Sequence, residues 1–351
     1  MEELKKLYKD TTGIEVNEVE TIPGAGSNRQ YYRLKGIGGS ALIGVVGTSR
    51  DENHTFCYLA NHFTKAGLPV PQIVAESKDG LRYLQSDLGN QSLFDALKGG
   101  REAGGRYNAT ERELLKKCIA ALPAMQILGA HKLDFTQCYP QECLDATNVL
   151  FDLNYFKYCF LKATGIEFSE IKLEDDFQRM SDILMRSTSA TFLYRDFQSR
   201  NVMFYNNEPY FIDFQGGRKG PIYYDVASFV WQAKANYSEE LREELLKTYL
   251  DALRQYMPVD ETYFRQQLRH FVLFRTLQVL GAYGFRGYFE KKPHFLQSVP
   301  FAIDNLRRLL REPFKEYPYL SQILTELTQM RQFYEMTPER KLQVKIYSFA
   351  Y

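Results

Sequence analysis

The sequence lacks an excess of charge of either sign, with 44 Lys and Arg against 43 Asp and Glu and a formal net charge of +1. Proteins that bind nucleic acid usually carry a basic excess or a basic run that neutralises phosphates. The nearest basic cluster, Arg307, Arg308 and Arg311, has the spacing of a solvated helix face. We therefore expect no nucleic-acid partner.

Paired cysteines and long apolar segments are also lacking. The five cysteines form no C-x-x-C pair and fit no zinc-ligand spacing, which is typical of reduced thiols in a cytosolic protein. The N-terminal segment MEELKKLYKD has no apolar core of a signal peptide, and no stretch reaches the length of a membrane span. These observations predict a cytoplasmic protein with no membrane association.

The length of 351 residues favours two lobes over one simple core. Residues 1–87 are predicted to form an N-terminal lobe, a small antiparallel sheet covered by one helix around Phe56–Phe63. Alternating apolar residues, bounded by Gly and Pro, predict its strands. These strands are Ile14–Glu20, Gln30–Lys35, Ala41–Val46, Gln72–Glu76 and Leu81–Gln85.

Residues 88–335 are predicted to form a mainly helical lobe, with a loop over the glycine-rich segment Lys98–Gly105. Pro123 is expected to bend or interrupt the first long helix. Helices are predicted at Glu111–Gly129, from the cap Ser238 to Leu253, at Phe264–Leu280 and at Val299–Leu310. In the tail, 336–351, Lys341–Tyr351 alternates like a strand. It either pairs within this protein or begins a further domain that this chain lacks.

The clearest motif lies in a short β region, Phe192–Phe214. Asp196 and Asn201 form D-x-x-x-x-N between two apolar strands, and a turn at Asn206–Glu208 leads back to Asp213. Such a hairpin brings Asn201 and Asp213 to neighbouring strand ends.

These residue types suit phosphoryl transfer. One carboxylate must orient the accepting hydroxyl and take its proton, and oxygen ligands must hold Mg²⁺ against the β- and γ-phosphates. Asp196 is predicted as the catalytic carboxylate, and Asn201 and Asp213 as the metal ligands. The alternative is structural: Asp196 caps a turn, Asn201 lies in a turn, and Asp213 pairs with an arginine.

Two further segments are predicted to bind the nucleotide. The loop Pro23–Arg29 contains Gly24, Gly26 and Ser27, and glycines let backbone N–H groups approach phosphate oxygens. The linker Leu84–Gly89, with Gln85 and Asp87, follows the last strand of the small lobe, where adenine would meet backbone groups. The alternatives are an ordinary glycine hairpin and a polar linker.

The motifs resemble those of the aminoglycoside phosphotransferase and choline kinase superfamily over about residues 14–310. The resemblance is carried by Arg195-Asp196, by Ile212-Asp213-Phe214-Gln215 and by Gly220–Ala227, which contains Asp225. It implies an α+β, bilobal protein-kinase-like fold and a small-molecule kinase that uses ATP and Mg²⁺. It also implies a structural role for Asp225.

Within that superfamily the sequence is most similar to cell-wall-recycling kinases, through Arg195–Asn201, Asp213–Gln215 and Arg275–Gly281. This likeness implies that the acceptor is the anomeric hydroxyl of N-acetylmuramate or N-acetylglucosamine. The tail Val344–Phe349 is similar to the start of a C-terminal domain related to RNase-adaptor proteins.

One departure from the family concerns the third strand, Ala41–Val46, which lacks the lysine that grips the α- and β-phosphates. Arg29 is the first candidate for a substitute cation and Arg33 the second, with Glu52 as the helix partner. The alternative is a pseudokinase that binds nucleotide and serves as a regulatory module.

Acceptor binding is predicted for five residues near the catalytic motif or on later helices: Gln198, Arg200, Gln215, Glu142 and Arg275. Aminoglycosides are polycations, whereas basic side chains surround Asp196 in the sequence. This argues for a neutral or anionic sugar. An aminoglycoside, choline or another sugar remains the alternative acceptor.

Overall fold

The computed structural model describes residues 1–23, 29–187 and 190–334. Its N-terminal part is a five-stranded antiparallel sheet with the strand order β1-β2-β3-β5-β4. The elements are α1 (Glu2–Thr12), β1 (Val16–Ile22), β2 (Gln30–Gly36), β3 (Leu42–Val46), α2 (Arg50–Lys65), β4 (Ile73–Glu76) and β5 (Arg82–Ser86). The five predicted strands, their antiparallel sheet and the helix α2 are confirmed.

The two faces of this sheet are covered differently. Helix α1, which was not predicted, buries Leu4 and Tyr8 against Leu34 and Leu84 on one face. The other face belongs to the main core and packs against α2, whose Phe56 is buried. This second face borders the cleft above the catalytic motif, because Phe56 stacks on Phe214 with ring centroids 4.7 Å apart.

The rest of the chain is mainly helical, as predicted. Its first helices are α3 (Leu93–Ala96), α4 (Lys98–Glu102), α5 (Ala109–Ile127), α6 (Ala146–Phe156) and α7 (Glu170–Arg186). The later ones are α8 (Tyr223–Val230), α9 (Glu239–Leu253), α10 (Glu261–Gly284), α11 (Pro293–Leu296), α12 (Val299–Leu309), α13 (Pro318–Gln329) and α14 (Arg331–Tyr334). Short 3₁₀ turns lie at Phe135–Gln137, Lys162–Thr164, Ser199–Asn201 and Ala233–Ala235, and π-helical turns at Lys157–Leu161 and Phe285–Phe289.

One local prediction was wrong, and another was wrong in part. The segment predicted as a loop, Lys98–Gly105, begins with helix α4. Gly100 is needed there for close packing, since an added Cβ would lie 2.2 Å from the ring of Tyr107. Pro123 does not interrupt α5, which continues through it to Ile127. The Ser238 cap is confirmed, because its hydroxyl accepts a hydrogen bond from Leu241 N at 3.2 Å.

Between α7 and α8 lie four short strands: β6 (Thr191–Leu193), β7 (Val202–Tyr205), β8 (Glu208–Phe211) and β9 (Arg218–Gly220). β7 pairs with β8 as predicted, and β6 pairs with β9. β9 was not predicted, because a pair of strands three residues long leaves little periodicity in the sequence. The predicted tail, 336–351, lies outside the described residues. No helix in the described ranges is long and apolar enough to cross a bilayer.

Candidate active site

The β7–β8 hairpin places Asn201 beside Asp213. Val202 pairs with Phe211, and Ile212 N donates to Asn201 O at 3.0 Å, which extends the ladder by one step. The turn residues Asn206 and Asn207 have φ values of 52° and 62°, the left-handed pair that a two-residue hairpin requires. The Asn201 Nδ2 and Asp213 Oδ2 atoms are 3.4 Å apart, so the predicted proximity is confirmed.

Asp196 joins this pair through the loop that connects β6 to β7. Asn201 Nδ2 donates to the carbonyl oxygen of Asp196 at 2.8 Å, which closes the D-x-x-x-x-N segment. Two residues at the site have left-handed backbones, Arg195 at φ 78° and Asp213 at φ 64°. Conformations of this kind cost free energy in non-glycine residues and concentrate at functional sites.

Asn201 and Asp213 fit a magnesium ion chemically. The amide nitrogen of Asn201 is already used by Asp196 O and Asp213, which leaves its amide oxygen as an acceptor. Asp213 Oδ1 accepts from Gln215 Nε2 at 2.8 Å, which fixes the carboxylate. Among the described residues no group of three or more His, Cys, Asp or Glu is placed to hold a metal. An ion here would therefore take its other ligands from water and phosphate, as Mg²⁺ commonly does.

Burial and neighbouring charges act in opposite directions on the pKa of Asp196. Burial raises the pKa of this carboxyl above its usual value, and the nearby charge of Asp213 raises it further. Arg275, Arg195 and Arg218 act in the opposite direction. A general base benefits when its pKa approaches the working pH, provided that it stays ionised.

Two of these arginines are held by the helical part of the protein. Arg195 Nη2 donates to Asp152 Oδ2 on α6 at 2.8 Å. Arg218 Nη1 donates to Gln141 Oε1 and to Asn148 Oδ1, both at 3.1 Å. These hydrogen bonds fix the positions of both guanidinium groups, which the sequence showed only as neighbours of Asp196 along the chain.

Asp225 binds the backbone just before Asp196. It is fully buried, and its two carboxylate oxygens accept hydrogen bonds from Tyr194 N at 2.8 Å and Arg195 N at 3.0 Å. Burial raises the pKa of Asp225 to about 7. The structural role implied by the family resemblance is confirmed.

Replacing Asp225 with alanine is expected to lower the free energy of unfolding by about 3 kcal/mol, because the buried N–H of Tyr194 and the partly buried N–H of Arg195 lose their acceptors. Urea denaturation followed by circular dichroism measures this loss. Asp251→Ala removes a surface carboxylate that is 56% exposed and serves as the control. An unchanged urea midpoint in Asp225→Ala would contradict the anchoring role.

Arg29 and Glu52 meet above the catalytic motif. Arg29 is only 5% exposed, and its Nη2 lies 3.7 Å from Glu52 Oε2 on α2. Burial alone would lower the pKa of Arg29, but nearby groups that include Asp213 outweigh it, and the pKa is raised. Arg29, the predicted substitute for the strand lysine, is thus buried, paired with a helix glutamate, and within electrostatic reach of Asp213.

Arg33 is engaged elsewhere. Its guanidinium binds Asp87 at 2.6 Å and Glu20 at 2.7 Å, and also Asn90 at 2.6 Å. These bonds fasten β2 to the linker after β5, so the Asp87 carboxylate is occupied by Arg33. The arrangement favours Arg29 over Arg33 as the phosphate-binding cation.

Of the other residues predicted to bind the nucleotide, the structure describes some and not others. Gln85 is 8% exposed and lies opposite Ile43 on the cleft face of the sheet. Among the described residues its Oε1 has no hydrogen-bond partner, which fits a position facing a bound base. Gly24, Gly26 and Ser27 lie outside the described residues, so their phosphate-binding role stays a prediction.

A small pocket lies beside the loop that carries Asp196. Its lining combines polar and aromatic side chains: Gln198, Ser228, Trp231, Gln232, Arg275 and Tyr283. Gln198 and Arg275 were predicted. Trp231, Gln232 and Tyr283 were missed, because only the tertiary fold brings α8 and α10 together. The single tryptophan of the chain, six residues after Asp225, was the one available signal.

The remaining predicted acceptor residues lie apart from this lining. Gln215 is bound to Asp213, as described above. Arg200 is exposed and stacks over Phe94, with 4.3 Å from its Cζ to the ring centroid. Glu142 is exposed, and its carbonyl oxygen accepts a backbone hydrogen bond from Lys219.

Comparison with known protein families identifies the family to which this chain belongs. The model of the phosphotransferase enzyme family matches residues 18–259, which include most of the five-stranded sheet and the whole β7–β8 hairpin. The chain belongs to this family. It is a small-molecule kinase.

Curated relatives in this family are similar over most of their length. The chain is 29% identical to an N-acetylmuramate/N-acetylglucosamine kinase of Pseudomonas aeruginosa, covering 82% of each chain. It is 26% identical to a kinase of the same name from Neisseria meningitidis serogroup B, covering 85% of this chain and 87% of the relative.

Solved structures show the same fold at lower identity. A choline kinase from Cryptosporidium parvum superposes with a TM-score of 0.55 at 15% identity, covering 88% of this chain and 93% of that one. The ternary complex of streptomycin, ATP and the aminoglycoside phosphotransferase APH(2")-IIa gives 0.53 at 12% identity, covering 84% and 95%. The predicted α+β, bilobal protein-kinase-like fold is confirmed.

Proposed function

We propose that this kinase transfers the γ-phosphate of ATP to a hydroxyl of an N-acetylated amino sugar, at the anomeric position of N-acetylmuramate or N-acetylglucosamine. The observation that carries the proposal is the convergence of Asp196, Asn201 and Asp213 beside the pocket lined by Trp231 and Arg275. Since the reaction consumes ATP, we place it in the cytoplasm.

In the proposed reaction, Asp196 accepts a hydrogen bond from the sugar hydroxyl and takes its proton as the oxygen bonds to the γ-phosphorus and ADP leaves. Asn201 and Asp213 would hold magnesium, which would neutralise charge on the phosphates. Arg29 binds the phosphates from the small lobe. Gln85 and the linker with Asp87 contact the base, while Gln198 and Arg275 position the sugar.

Two observations support a sugar over other acceptors. The pocket offers an aromatic surface from Trp231 and Tyr283 together with amide and guanidinium donors, a combination suited to a hydroxyl-rich ring. The arginines around Asp196 oppose a polycation such as an aminoglycoside. The similar curated kinases are named for the two sugars proposed here.

Acceptor-dependent ADP release tests the proposal. Purified protein with Mg-ATP is given N-acetylmuramate, N-acetylglucosamine, other hexoses, choline and kanamycin separately, with Asp213→Ala as the blank. Turnover confined to the N-acetylated sugars is the expected result. Turnover only with kanamycin or choline would overturn the acceptor and leave the kinase intact.

A regulatory pseudokinase is the second candidate, favoured by the absence of lysine on β3, Leu42–Val46. The ion pair between Arg29 and Glu52 weakens this candidate, because it supplies a cation and its helix partner by another route. Magnesium-dependent turnover separates the two. ATP binding without turnover of any acceptor would support the pseudokinase.

Arg275→Gln is expected to shift the pH dependence of kcat/KM. The arginine lowers the pKa of Asp196, so its removal raises that pKa, and the acid limb of the profile moves to higher pH. Activity is then lost at a pH where the unaltered enzyme still works. The control, Arg254→Gln, removes a surface arginine that is 41% exposed. If the acid limb did not move, the proposed effect of Arg275 on the pKa of Asp196 would be wrong.

A further inference from the structure

Two arginines converge on one aromatic ring at the edge of the catalytic loop. The Cζ atom of Arg101 lies 3.6 Å from the ring centroid of Phe94, and the Cζ atom of Arg200 lies 4.3 Å from it. Phe94 belongs to the short helix α3, which packs against the 3₁₀ turn Ser199–Asn201. Both guanidinium groups therefore contact the same ring, and the charge of Arg200 acts on Arg101.

Lys234 is brought to the same place by the fold. Its 3₁₀ turn, Ala233–Ala235, is tied to the segment after Arg101, because Tyr107 Oη donates to Ala235 O at 2.6 Å. A second tie runs from Asn236 Nδ2 to Gly104 O at 3.0 Å. Burial lowers the pKa of Lys234, and the charges of Arg200 and Arg101 lower it further, as expected for neighbouring cations.

The positive charge of this basic cluster, defined as Arg101, Arg200 and Lys234, is largely uncompensated. Across the described parts of the chain, none of the three has a carboxylate oxygen within the 4.0 Å of an ion pair. Asp95 acts on Arg101 at longer range, but its carboxylate accepts from Ser92 Oγ. Grouping like charges costs free energy that a bound anion offsets.

The basic cluster adjoins the acceptor pocket. Arg200 lies within the D-x-x-x-x-N segment, and its neighbour Ser199 donates from Oγ to Gln232 Oε1 at 2.9 Å. Gln232 and Ala233 line the pocket, and Lys234 follows them directly. An acceptor seated against Trp231 with its reacting hydroxyl at Asp196 would extend its substituents toward these cations.

We propose that the basic cluster binds a carboxylate carried by the acceptor sugar and so selects the anionic substrate over its neutral counterpart. The inference rests on the proposed function. Guanidinium groups suit it because they hold a carboxylate through paired hydrogen bonds. The ATP phosphates are assigned to other residues, Arg29 and the proposed magnesium ligands Asn201 and Asp213.

Paired kinetics with two sugars test this assignment. N-acetylmuramate and N-acetylglucosamine differ only in the lactyl ether that carries the carboxylate. In Arg200→Gln/Lys234→Gln, kcat/KM for N-acetylmuramate is expected to fall about tenfold or more, while that for N-acetylglucosamine changes by less than about twofold. Arg200→Lys should recover part of the loss. Lys247→Gln, an exposed lysine on α9, is the charge-matched control.

A second measurement needs no variant. The methyl ester of N-acetylmuramate lacks the charge, so the unaltered enzyme should use it less well than the free acid, and the double variant should lose that discrimination. Equal losses for both sugars, or no loss for either, would overturn the assignment. If the unaltered enzyme turned over neither sugar, the proposed function would be wrong, and with it the acceptor assigned to this cluster.

Discussion

Asp196→Asn is expected to lower kcat about 1000-fold while leaving ATP binding nearly unchanged. The asparagine keeps the size of the side chain and one acceptor oxygen, but it cannot take the proton of the attacking hydroxyl. General-base groups contribute about 100- to 10,000-fold to rate. The hairpin that holds Asn201 and Asp213 does not depend on the Asp196 side chain, because Asn201 binds the Asp196 carbonyl oxygen.

The measurement is single-turnover kinetics with N-acetylglucosamine, together with calorimetric titration of Mg-ATP. Asp251→Asn, on the exposed surface of α9, is the isosteric control and should retain full activity. Near-normal turnover by Asp196→Asn would exclude this residue as the base. Loss of ATP binding in the same variant would show that the change had disturbed the metal site instead.

The second large effect concerns Arg29. Arg29→Met is expected to lower kcat/KM for ATP about 100-fold, the usual consequence of removing one charged group that stabilises the transition state. Methionine fills the buried space of an arginine that is only 5% exposed, so the loss reports the missing charge more than missing volume. The apparent affinity for the sugar should change little.

A charge-retaining series separates this role from packing. Arg29→Lys should recover much of the activity, and Glu52→Gln should lose less than Arg29→Met, because Glu52 only positions the guanidinium at 3.7 Å. Arg33→Met serves as the comparison, since Arg33 is held by Asp87 and Glu20. If Arg33→Met abolished turnover while Arg29→Met did not, the assignment of the phosphate-binding cation would be reversed.

The catalytic hairpin was predictable from sequence because its determinants are local. Asn206 and Asn207 specify the turn, apolar residues specify the paired strands, and register then fixes Asn201 opposite Ile212. The arrangement of β-strands in the small lobe followed from the same short-range signals. These patterns placed the proposed base and metal ligands before any tertiary contact was known.

The other parts of the site depend on tertiary packing. Arg29 lies just before β2 and Glu52 lies on α2. Only the packing of α2 on the sheet brings these two residues together as an ion pair. Trp231 and Tyr283 meet in one pocket because α8 packs on α10. Neither contact leaves a periodic signal in the sequence.

The wrong loop prediction and the helix that was not predicted have similar causes. Glycines favoured a loop at Lys98–Gly105, but Gly100 N donates to Glu111 Oε1 at 2.7 Å, a tertiary bond that stabilises helix α4. Helix α1 has only a narrow apolar stripe, and the sheet face that buries Leu4 and Tyr8 decides its formation.

The central claim is transfer of phosphate to the sugar, and ³¹P NMR of the reaction with N-acetylglucosamine tests it most directly. The account predicts a new phosphomonoester resonance whose intensity matches the ADP formed and which shows the splitting of an anomeric phosphate. This resonance should be absent with Asp213→Ala. Inorganic phosphate as the only product, or no consumption of ATP at all, would contradict it.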